Sequence, residues 1–230
     1  MAVFSGPEMV EDGLVLCLDA ANPRSYPRSG TTWFDLSGRG NHGTLKNGPT
    51  FNANLAGGSI VFDGTNDFVD GSLSCSNTQY SLDWWQYALT ASNYNNYIRL
   101  GPSDGSGWGS FLFHYNGPVP AFISVGTDTA TRMQAPQLNG SYAVTLNAWQ
   151  HYAWSFDNGT ARLYHNGSLF QTKSMNVSTN STFTEYSVSW SGSGSQINGY
   201  VSNFKVYSQK VLSDIEVRQN FNALRGRFDI

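Results

Sequence analysis

The stretch WQHYAWSFDNGTARLYHNGSLFQT, residues 149–172, decides the fold class because it holds two Asn-Gly pairs between runs of strand-forming residues. A two-residue Asn-Gly loop favours a type I′ turn, in which both central residues have positive φ. If Asn158-Gly159 is such a turn, Trp154 lies opposite Leu163 in the paired strands. A second turn at Asn166-Gly167 extends the pairing to a third strand. The stretch therefore predicts a three-stranded antiparallel meander.

This register separates the side chains into two faces, and the second turn also places Phe170 opposite Leu163. One face collects Tyr152, Trp154, Phe156, Ala161, Leu163 and Phe170. The other face collects Trp149, His151, Ser155, Arg162, Tyr164 and Gln171. Because a slip of one residue would mix the two sets, the pattern supports this register. The first face predicts a core, and the second predicts a half-solvated surface or one that faces a groove.

The composition also favours a β-rich protein. Charged residues make up 13% of the 230 residues, about half of the roughly 25% that is typical, and 24 glycines serve many turns. A net charge of −3 without a basic run argues against a nucleic-acid partner. We expect no secretory signal, because the opening residues lack a basic and an apolar region, and no membrane insertion, because no apolar run is long enough. Without secretion cues, Cys17 and Cys75 are expected as two thiols rather than a bridge, although a bridge stays open.

Strand-like runs recur along the whole chain and are separated by Gly, Pro, Asn or Ser clusters, which is typical of a sandwich or barrel. Besides the meander, they cover residues 13–20, 59–64, 80–89, 96–101, 109–116, 121–127, 141–146, 185–190 and 199–208. We find no linker composition and no repeat. The chain therefore reads as one domain, residues 13–230, behind an N-terminal arm, residues 1–12.

One helix is predicted near the end, over about residues 213–225. Ser213 and Glu216 have the spacing of a capping box, and Gly226 is placed to end the helix. A packing stripe is expected from Ile215, Val217, Phe221 and Leu224.

The ordered combination of motifs resembles the concanavalin A-like, laminin G-like domains of tailed-phage virion proteins, over about residues 13–228. The opening GLVLCLDAANPRSYPRSGTTWFDLSGRGNHGTLKNGPTF is similar to that of the family, and GSIVFDGTNDFV resembles its next strand pair. YSLDWWQ resembles its first long central strand, although the family has a small residue where this chain has Trp84. WQHYAWSFDNGTARLYHNGSL and INGYVSNFKVYSQKVLSDIEVRQNFNALRGRF resemble its signature hairpin and its closing strand and helix.

The resemblance implies an all-β jelly-roll sandwich of two antiparallel sheets with one short C-terminal helix. Members of the family serve as lectin modules, as virion fibre, collar or decoration proteins, and in a distant branch as glycanases. We therefore expect a virion structural protein that assembles with other virion proteins and adheres to host-surface glycans. A lectin-type carbohydrate-binding module of a cell-surface or secreted adhesin is the alternative.

Catalysis is not expected. The glycanase branch needs two carboxylates on one strand face, in an alternating run such as Glu-x-Asp-x-Glu, and the sequence has no such run. Asp214 and Glu216 have the spacing but stand at a helix start, where capping explains both.

A calcium site is a second hypothesis, because many domains of the superfamily hold Ca²⁺ near a sheet rim. FDGTNDFVDG offers oxygen ligands from Asp63, Asn66, Asp67 and Asp70. In the competing interpretation these residues form a turn and bond their own backbone.

Sugar binding would use exposed aromatic residues, for which the candidates are Trp85, Tyr87, Trp108 and Tyr115. For each of them, packing in the core is the competing interpretation. Assembly would use the arm, through Val3, Phe4 and Met9, together with Phe228 near the C-terminus. We expect these residues to order against a neighbouring copy in a symmetric homo-oligomer, for which a trimer is the leading hypothesis by analogy to fibres.

Overall fold

The computed structural model describes residues 8–90, 95–101, 111–116, 122–125, 133–134, 145–174, 182–189 and 196–230. The strands in these ranges form two eight-stranded antiparallel sheets, A and B. Sheet A consists of β1 (Leu14–Asp19), β4 (Thr50–Asn52), β5 (Ser59–Asp63), β7 (Gln79–Ala88), β12 (Trp149–Asp157), β13 (Thr160–His165), β14 (Ser168–Ser174) and β16 (Asn198–Ser208). Sheet B consists of β2 (Thr32–Trp33), β3 (Gly43–Lys46), β6 (Phe68–Cys75), β8 (Asn95–Gly101), β9 (Phe111–Asn116), β10 (Phe122–Val125), β11 (Met133–Gln134) and β15 (Phe183–Val188).

The strand order shows that neighbours in each sheet come from distant parts of the chain. Sheet A runs β14-β13-β12-β7-β16, and β16 then pairs with β5 along its first half and with β1 along its second half. Sheet B runs β11-β10-β9-β8-β15-β6-β3-β2. One helix, α1 (Asp214–Leu224), follows the last strand. The predicted all-β class, with two antiparallel sheets and a short C-terminal helix, is thus confirmed.

The meander has the predicted register at its first turn and a bulge in its third strand. Trp154 pairs with Leu163, and Asn158 and Asn166 both have positive φ, as type I′ turns require. The third strand departs from the prediction, because Leu163 pairs with Gln171 and Phe170 is the extra residue. A bulge sets two residues of one strand against one of its partner. Phe170 still packs against the main core.

The main core fills the space between the sheets and is rich in aromatic side chains. Its largest fully buried members are Trp33, Trp84, Trp154, Tyr80, Tyr97, Tyr186, Phe62 and Phe111. Several of these rings meet edge to face, as Trp84 and Phe113 do with centroids 4.7 Å apart and an interplanar angle of 75°. Aromatic pairs favour this geometry because the edge of one ring is positive and the face of the other is negative. The apolar face of the meander lies in this core, as predicted.

The other face of the meander is covered, which corrects the expectation of a half-solvated surface. Trp149, His151, Ser155 and Tyr164 are all buried, because α1 and the residues around it pack over the outer face of sheet A. The Tyr164 hydroxyl donates to Asp214 at the start of the helix, over 2.8 Å. The outer face of sheet A is therefore a second packing layer.

The helix begins as the sequence predicts but packs and ends differently. Ser213 caps it, and Glu216 completes the capping box. Val217 and Leu224 are buried, but Ile215 is 79% exposed, and Asn220 takes the inward position that the predicted stripe assigned to apolar residues. The helix passes into a 3₁₀ turn, Arg225–Arg227, and does not end at Gly226.

A buried ionic network explains why Asn220 faces inward. The Asp83 carboxylate of β7 is fully buried and accepts from Lys205 Nζ over 2.8 Å. His151 Nε2 lies 3.1 Å from the other oxygen of Asp83, and Asn220 Nδ2 donates to that oxygen over 3.2 Å. Lys205 and His151 favour the charged form of the carboxylate and hold the pKa of Asp83 well below its usual range, against the opposing effect of burial. The network joins two central strands to the helix.

The segment before β1 packs on the outer face of sheet A, against α1. Val10 N donates to Asn220 Oδ1 over 2.9 Å, and Gln219 Nε2 donates to the Glu8 carbonyl over 2.6 Å. Met9 is partly buried in the cluster beneath the helix. Residues 8–12 thus contact their own domain, so the predicted arm is shorter than residues 1–12. Val3 and Phe4 lie outside the described residues.

Phe228 also packs within its own chain. Its ring stacks on Trp85 with centroids 3.8 Å apart and an interplanar angle of 5°. Arg227 anchors this tail by donating to both carboxylate oxygens of Asp19, over 2.9 and 3.0 Å. The expectation that Phe228 orders against a neighbouring copy is corrected, because its ring is 3% exposed in the single chain.

Three further expectations can be compared with the structure. Cys17 and Cys75 are free and buried, as two thiols. Among the described residues, the structure contains no helix with the length and hydropathy of a membrane span. The strand predicted at residues 141–146 is described only at 145–146, which are not in a strand.

Candidate functional site

Polar side chains line the outer face of sheet B, the face that α1 does not cover. Thr44, Asp70, Ser187 and Arg99 form one row, because Asp70 pairs with Thr44 and with Ser187, and Ser187 pairs with Arg99. The row crosses β3, β6, β15 and β8. Side chains that pair directly across strands share a face and lie about 5 Å apart at Cβ. Four strands thus present one continuous polar row.

A groove of about 670 Å³ lies over this row. Its volume falls within the range of about 300–1,000 Å³ that small-molecule sites occupy. We call it the sheet B groove, and it is lined by Gly40, Asn41, His42, Thr44, Phe68, Asp70, Gly71, Ser72, Arg99, Glu185, Tyr186 and Ser187.

The loop between β2 and β3 forms one rim, and Asp35 organises it. Its carboxylate accepts four hydrogen bonds, from the backbone N–H groups of Cys17, Ser37 and Asn41 and from the Ser37 hydroxyl, at 2.7 to 3.0 Å. His42 Nδ1 accepts from the backbone N–H of Asp35 over 3.0 Å. Neutral His42 therefore carries its proton on Nε2, and this exposed ring presents a donor at the rim.

Tyr186 fixes the rim to the sheet from below. Its hydroxyl donates to the Asn41 carbonyl over 3.0 Å. Gly71 faces Tyr186 across the sheet, and a Cβ at Gly71 would lie 2.5 Å from the Tyr186 ring. Gly43 leaves space in the same way, since a Cβ there would lie 3.0 Å from the Tyr186 oxygen. Burial raises the pKa of Tyr186, and the nearby carboxylates of Asp35 and Asp70 raise it further, so its hydroxyl remains a donor.

At the floor of the groove, Arg99 and Glu185 form an ion pair, whereas the Asp70 carboxylate has no ion-pair partner among the described residues. Arg99 is 4% exposed, and its Nη1 lies 3.4 Å from Glu185 Oε2. Within the described part of the chain, no hydrogen bond or ion pair joins the Asp70 carboxylate to another residue. The hydroxyl of Ser187, which is 3% exposed, likewise lacks a hydrogen-bond partner there. Buried polar atoms in native proteins normally have partners, so this pair is suited to a ligand.

Of the four predicted sugar-binding residues, the structure describes the side chains of Trp85 and Tyr87 only, and neither lines the sheet B groove. Trp85 is fully buried and stacks with Phe221 and Phe228, so its ring is not open to a sugar. Tyr87 is partly buried on the same side of sheet A, beside Trp149. Tyr115 belongs to β9 in sheet B, but its side chain lies outside the described part. Trp108 lies outside the described residues altogether.

Two of the residues predicted for calcium, Asp63 and Asp67, make the backbone hydrogen bonds of the competing interpretation, a turn. Asp67 Oδ2 accepts from the backbone N–H of Asp63 over 3.1 Å, and Asp63 Oδ1 accepts from the N–H of Thr65 over 2.8 Å. These are the bonds of a turn. Asp70 faces the sheet B groove, and no three His, Cys, Asp or Glu side chains cluster as a metal site anywhere in the described ranges.

Sequence reasoning missed the groove because its residues come from four separate strands. One local signal was present in β6, where Phe68, Asp70 and Ser72 alternate with the buried Val69 and Leu73. This alternation marks Asp70 as outward-facing on a half-buried strand. It does not show that Ser187 and Arg99 lie beside it.

Comparisons with known structures agree with the fold. Domain 4 of AbnA, a GH43 extracellular arabinanase from Geobacillus stearothermophilus, in complex with arabinotriose, superposes with a TM-score of 0.70 at 15% identity, over 93% of this chain and 100% of that chain. The botulinum neurotoxin serotype D binding domain gives 0.66 at 14% identity, over 92% of this chain and 52% of that chain. Trypanosoma rangeli sialidase gives 0.65 at 13% identity, over 94% of this chain and 33% of that chain.

These identities show the fold alone, and the chain spans about a third of the sialidase and half of the toxin domain. No curated protein matches the sequence. A family model described as the concanavalin A-like lectin/glucanases superfamily, of laminin G type, matches residues 58–218. The match covers more than half of the chain and spans strands of both sheets, so the protein belongs to the concanavalin A-like lectin/glucanases superfamily.

Proposed function

We propose that the protein is a non-catalytic glycan-binding module whose ligand lies in the sheet B groove. The observation that carries this proposal is the groove itself, with its row of polar side chains on the one sheet face that the helix leaves open. The structural similarity to an arabinanase domain that was solved with arabinotriose supports it. Sugar sites need a few polar groups held in fixed positions, and strands of a rigid sheet provide them.

The groove offers both parts of a sugar site. Phe68 lies two residues before Asp70 on β6, is partly exposed in the groove and presents an apolar surface to the C–H groups of a sugar ring. Asp70, Ser72 and Ser187 supply acceptors and hydroxyl donors, and His42 supplies a ring N–H at the rim. Together they suit a ligand with one apolar face and many hydroxyl groups.

The groove's two carboxylates do not suit glycoside hydrolysis. A glycosidase needs one protonated carboxyl as general acid and a second carboxylate as nucleophile or base. Glu185 is ion-paired with Arg99, so its carboxylate is already engaged within the groove. Release of reducing sugar from an oligosaccharide, abolished by Glu185→Gln, would contradict the non-catalytic proposal.

A glycan array tests the function and the site together. Ser72 is exposed in the groove, so Ser72→Trp should fill it and abolish binding. Ser168→Trp is the matched control, since Ser168 is exposed on β14 of sheet A. We expect the wild type and Ser168→Trp to bind the same glycans. Equal binding by Ser72→Trp would move the site elsewhere, and an array without any bound glycan would refute the function.

A second candidate is the role implied by the sequence resemblance, a decoration, collar or fibre subunit of a tailed-phage virion. One observation favours it. Residues 8–12 and the C-terminal tail both lie on the outer face of sheet A, so attachment there would leave the sheet B groove free for a host-surface glycan. Mass spectrometry of purified particles, with a cryo-EM map to place the density, tests this role. Analytical ultracentrifugation tests the proposed trimer.

A further inference from the structure

We infer that the sheet B groove selects neutral oligosaccharides with adjacent hydroxyl groups and rejects their acidic counterparts, and that Asp70 and Ser187 set this specificity. The inference rests on the proposed glycan-binding function and names the ligand class of the same site.

The first step is the state of the two side chains. Asp70 and Ser187 are direct cross-strand partners in β6 and β15, and both line the groove. The Ser187 hydroxyl is almost completely buried, yet no described residue takes its hydrogen bond. The Asp70 carboxylate, which is partly exposed, also lacks a hydrogen-bond or ion-pair partner there. A polar atom that is buried without a partner is costly, so a ligand that satisfies both groups recovers this cost.

The second step is the pattern of donors and acceptors. An ionised carboxylate only accepts hydrogen bonds, whereas a serine hydroxyl both donates and accepts. With Cβ atoms about 5 Å apart, the pair matches two neighbouring hydroxyls of a sugar ring. One ligand hydroxyl donates to Asp70, and the next accepts from Ser187. Hydrogen bonds to a charged acceptor are the stronger kind, so Asp70 contributes most of the affinity.

The third step is charge. The described lining of the groove carries two carboxylates, Asp70 and Glu185, and one guanidinium, that of Arg99. Glu185 lies 3.4 Å from Arg99 and pairs with it, whereas no described residue forms an ion pair with Asp70. A carboxylate or sulfate on the ligand would approach Asp70 with the same sign of charge, in a partly buried site where repulsion is weakly screened. Acidic sugars are therefore excluded.

Paired ligands test this inference. An array carries neutral oligosaccharides, each beside its sialylated, uronic-acid or sulfated derivative, and the best neutral ligand and its acidic partner are then titrated by calorimetry. We expect the neutral member to bind at least about tenfold more tightly, as the repulsion of one unpaired charge requires. Asp70→Asn keeps the shape but removes the charge and half of the acceptors. It should weaken the neutral ligand by about tenfold and bring the affinities of the two ligands together.

The control is Asp63→Asn, at an exposed carboxylate outside the groove, which should change neither affinity. Ser187→Ala should weaken the neutral ligand without changing the preference over the acidic one. Acidic glycans that bind as tightly as neutral ones, or a preference that survives in Asp70→Asn, would overturn the inference and leave the glycan-binding function standing. Failure of every glycan to bind would overturn both.

Discussion

Lys205→Met tests the buried network that holds the helix on sheet A. Lys205 is 1% exposed and Asp83 is 0% exposed, with Lys205 Nζ 2.8 Å from Asp83 Oδ1. Methionine keeps most of the volume but leaves the carboxylate buried without its cation. Removing one partner of a buried ion pair costs about 3–5 kcal/mol. In a domain of this size each kcal/mol lowers Tm by about 2–4 °C, so Tm should fall by about 6–20 °C.

Urea denaturation followed by tryptophan fluorescence gives the free energy of unfolding for each variant. Lys210→Met is the matched control, because Lys210 Nζ bridges Asp12 and Glu216 near the surface, and such pairs contribute below about 1 kcal/mol. The double variant Lys205→Met with Asp83→Leu removes both charges and should recover much of the lost stability. A loss below about 1 kcal/mol for Lys205→Met, or a double variant worse than the single one, would refute the proposed role of the charges.

Three further predictions concern other parts of the fold. Burial lowers the pKa of His165 from 6.5 to about 4, so the unfolded state binds a proton more readily than the folded state does. The free energy of unfolding should therefore fall by about 1–2 kcal/mol between pH 7 and pH 5. Denaturation at each pH measures this fall, which should be smaller in His165→Gln. Gly71→Ala should lose about 1–3 kcal/mol, because its Cβ would lie 2.5 Å from the Tyr186 ring, whereas Gly226→Ala, with nothing within 4 Å, should match the wild type in the same assay. Millimolar Ca²⁺ should leave Tm unchanged, because the carboxylates of Asp63 and Asp67 already accept hydrogen bonds from the backbone of their turn, and a clear rise would restore the calcium hypothesis.

Local chemistry made the sheets predictable. The Asn158-Gly159 turn fixed the register of β12 and β13, and the capping box fixed the start of α1, because both depend on residues next to each other in sequence. Phe170 escaped prediction because an extra residue in β14 changes the pairing without any change in composition. For Trp85 the sequence left exposure and core packing both open, because its cover, Phe228, lies far away in sequence, near the C-terminus.

The site was less predictable because it depends on how distant strands meet. Asp70, Ser187 and Arg99 become neighbours only when β6, β15 and β8 pair. The sequence suggested the carboxylates of residues 63–70 as calcium ligands, because it grouped them by their proximity along the chain. The sheet instead separates Asp70, which faces the groove, from Asp63 and Asp67, which bond within their turn.

The most direct test of the glycan site is a map of ligand-induced chemical shifts in isotope-labelled protein. The best neutral oligosaccharide from the array is titrated into the protein, and each backbone amide shift is followed to saturation. The groove predicts that the largest changes fall on Thr44, on Asp70 to Ser72, on Arg99 and on Glu185 to Ser187. Changes that fall instead on β7, α1 and the C-terminal tail, with the amides of sheet B unmoved, would contradict it.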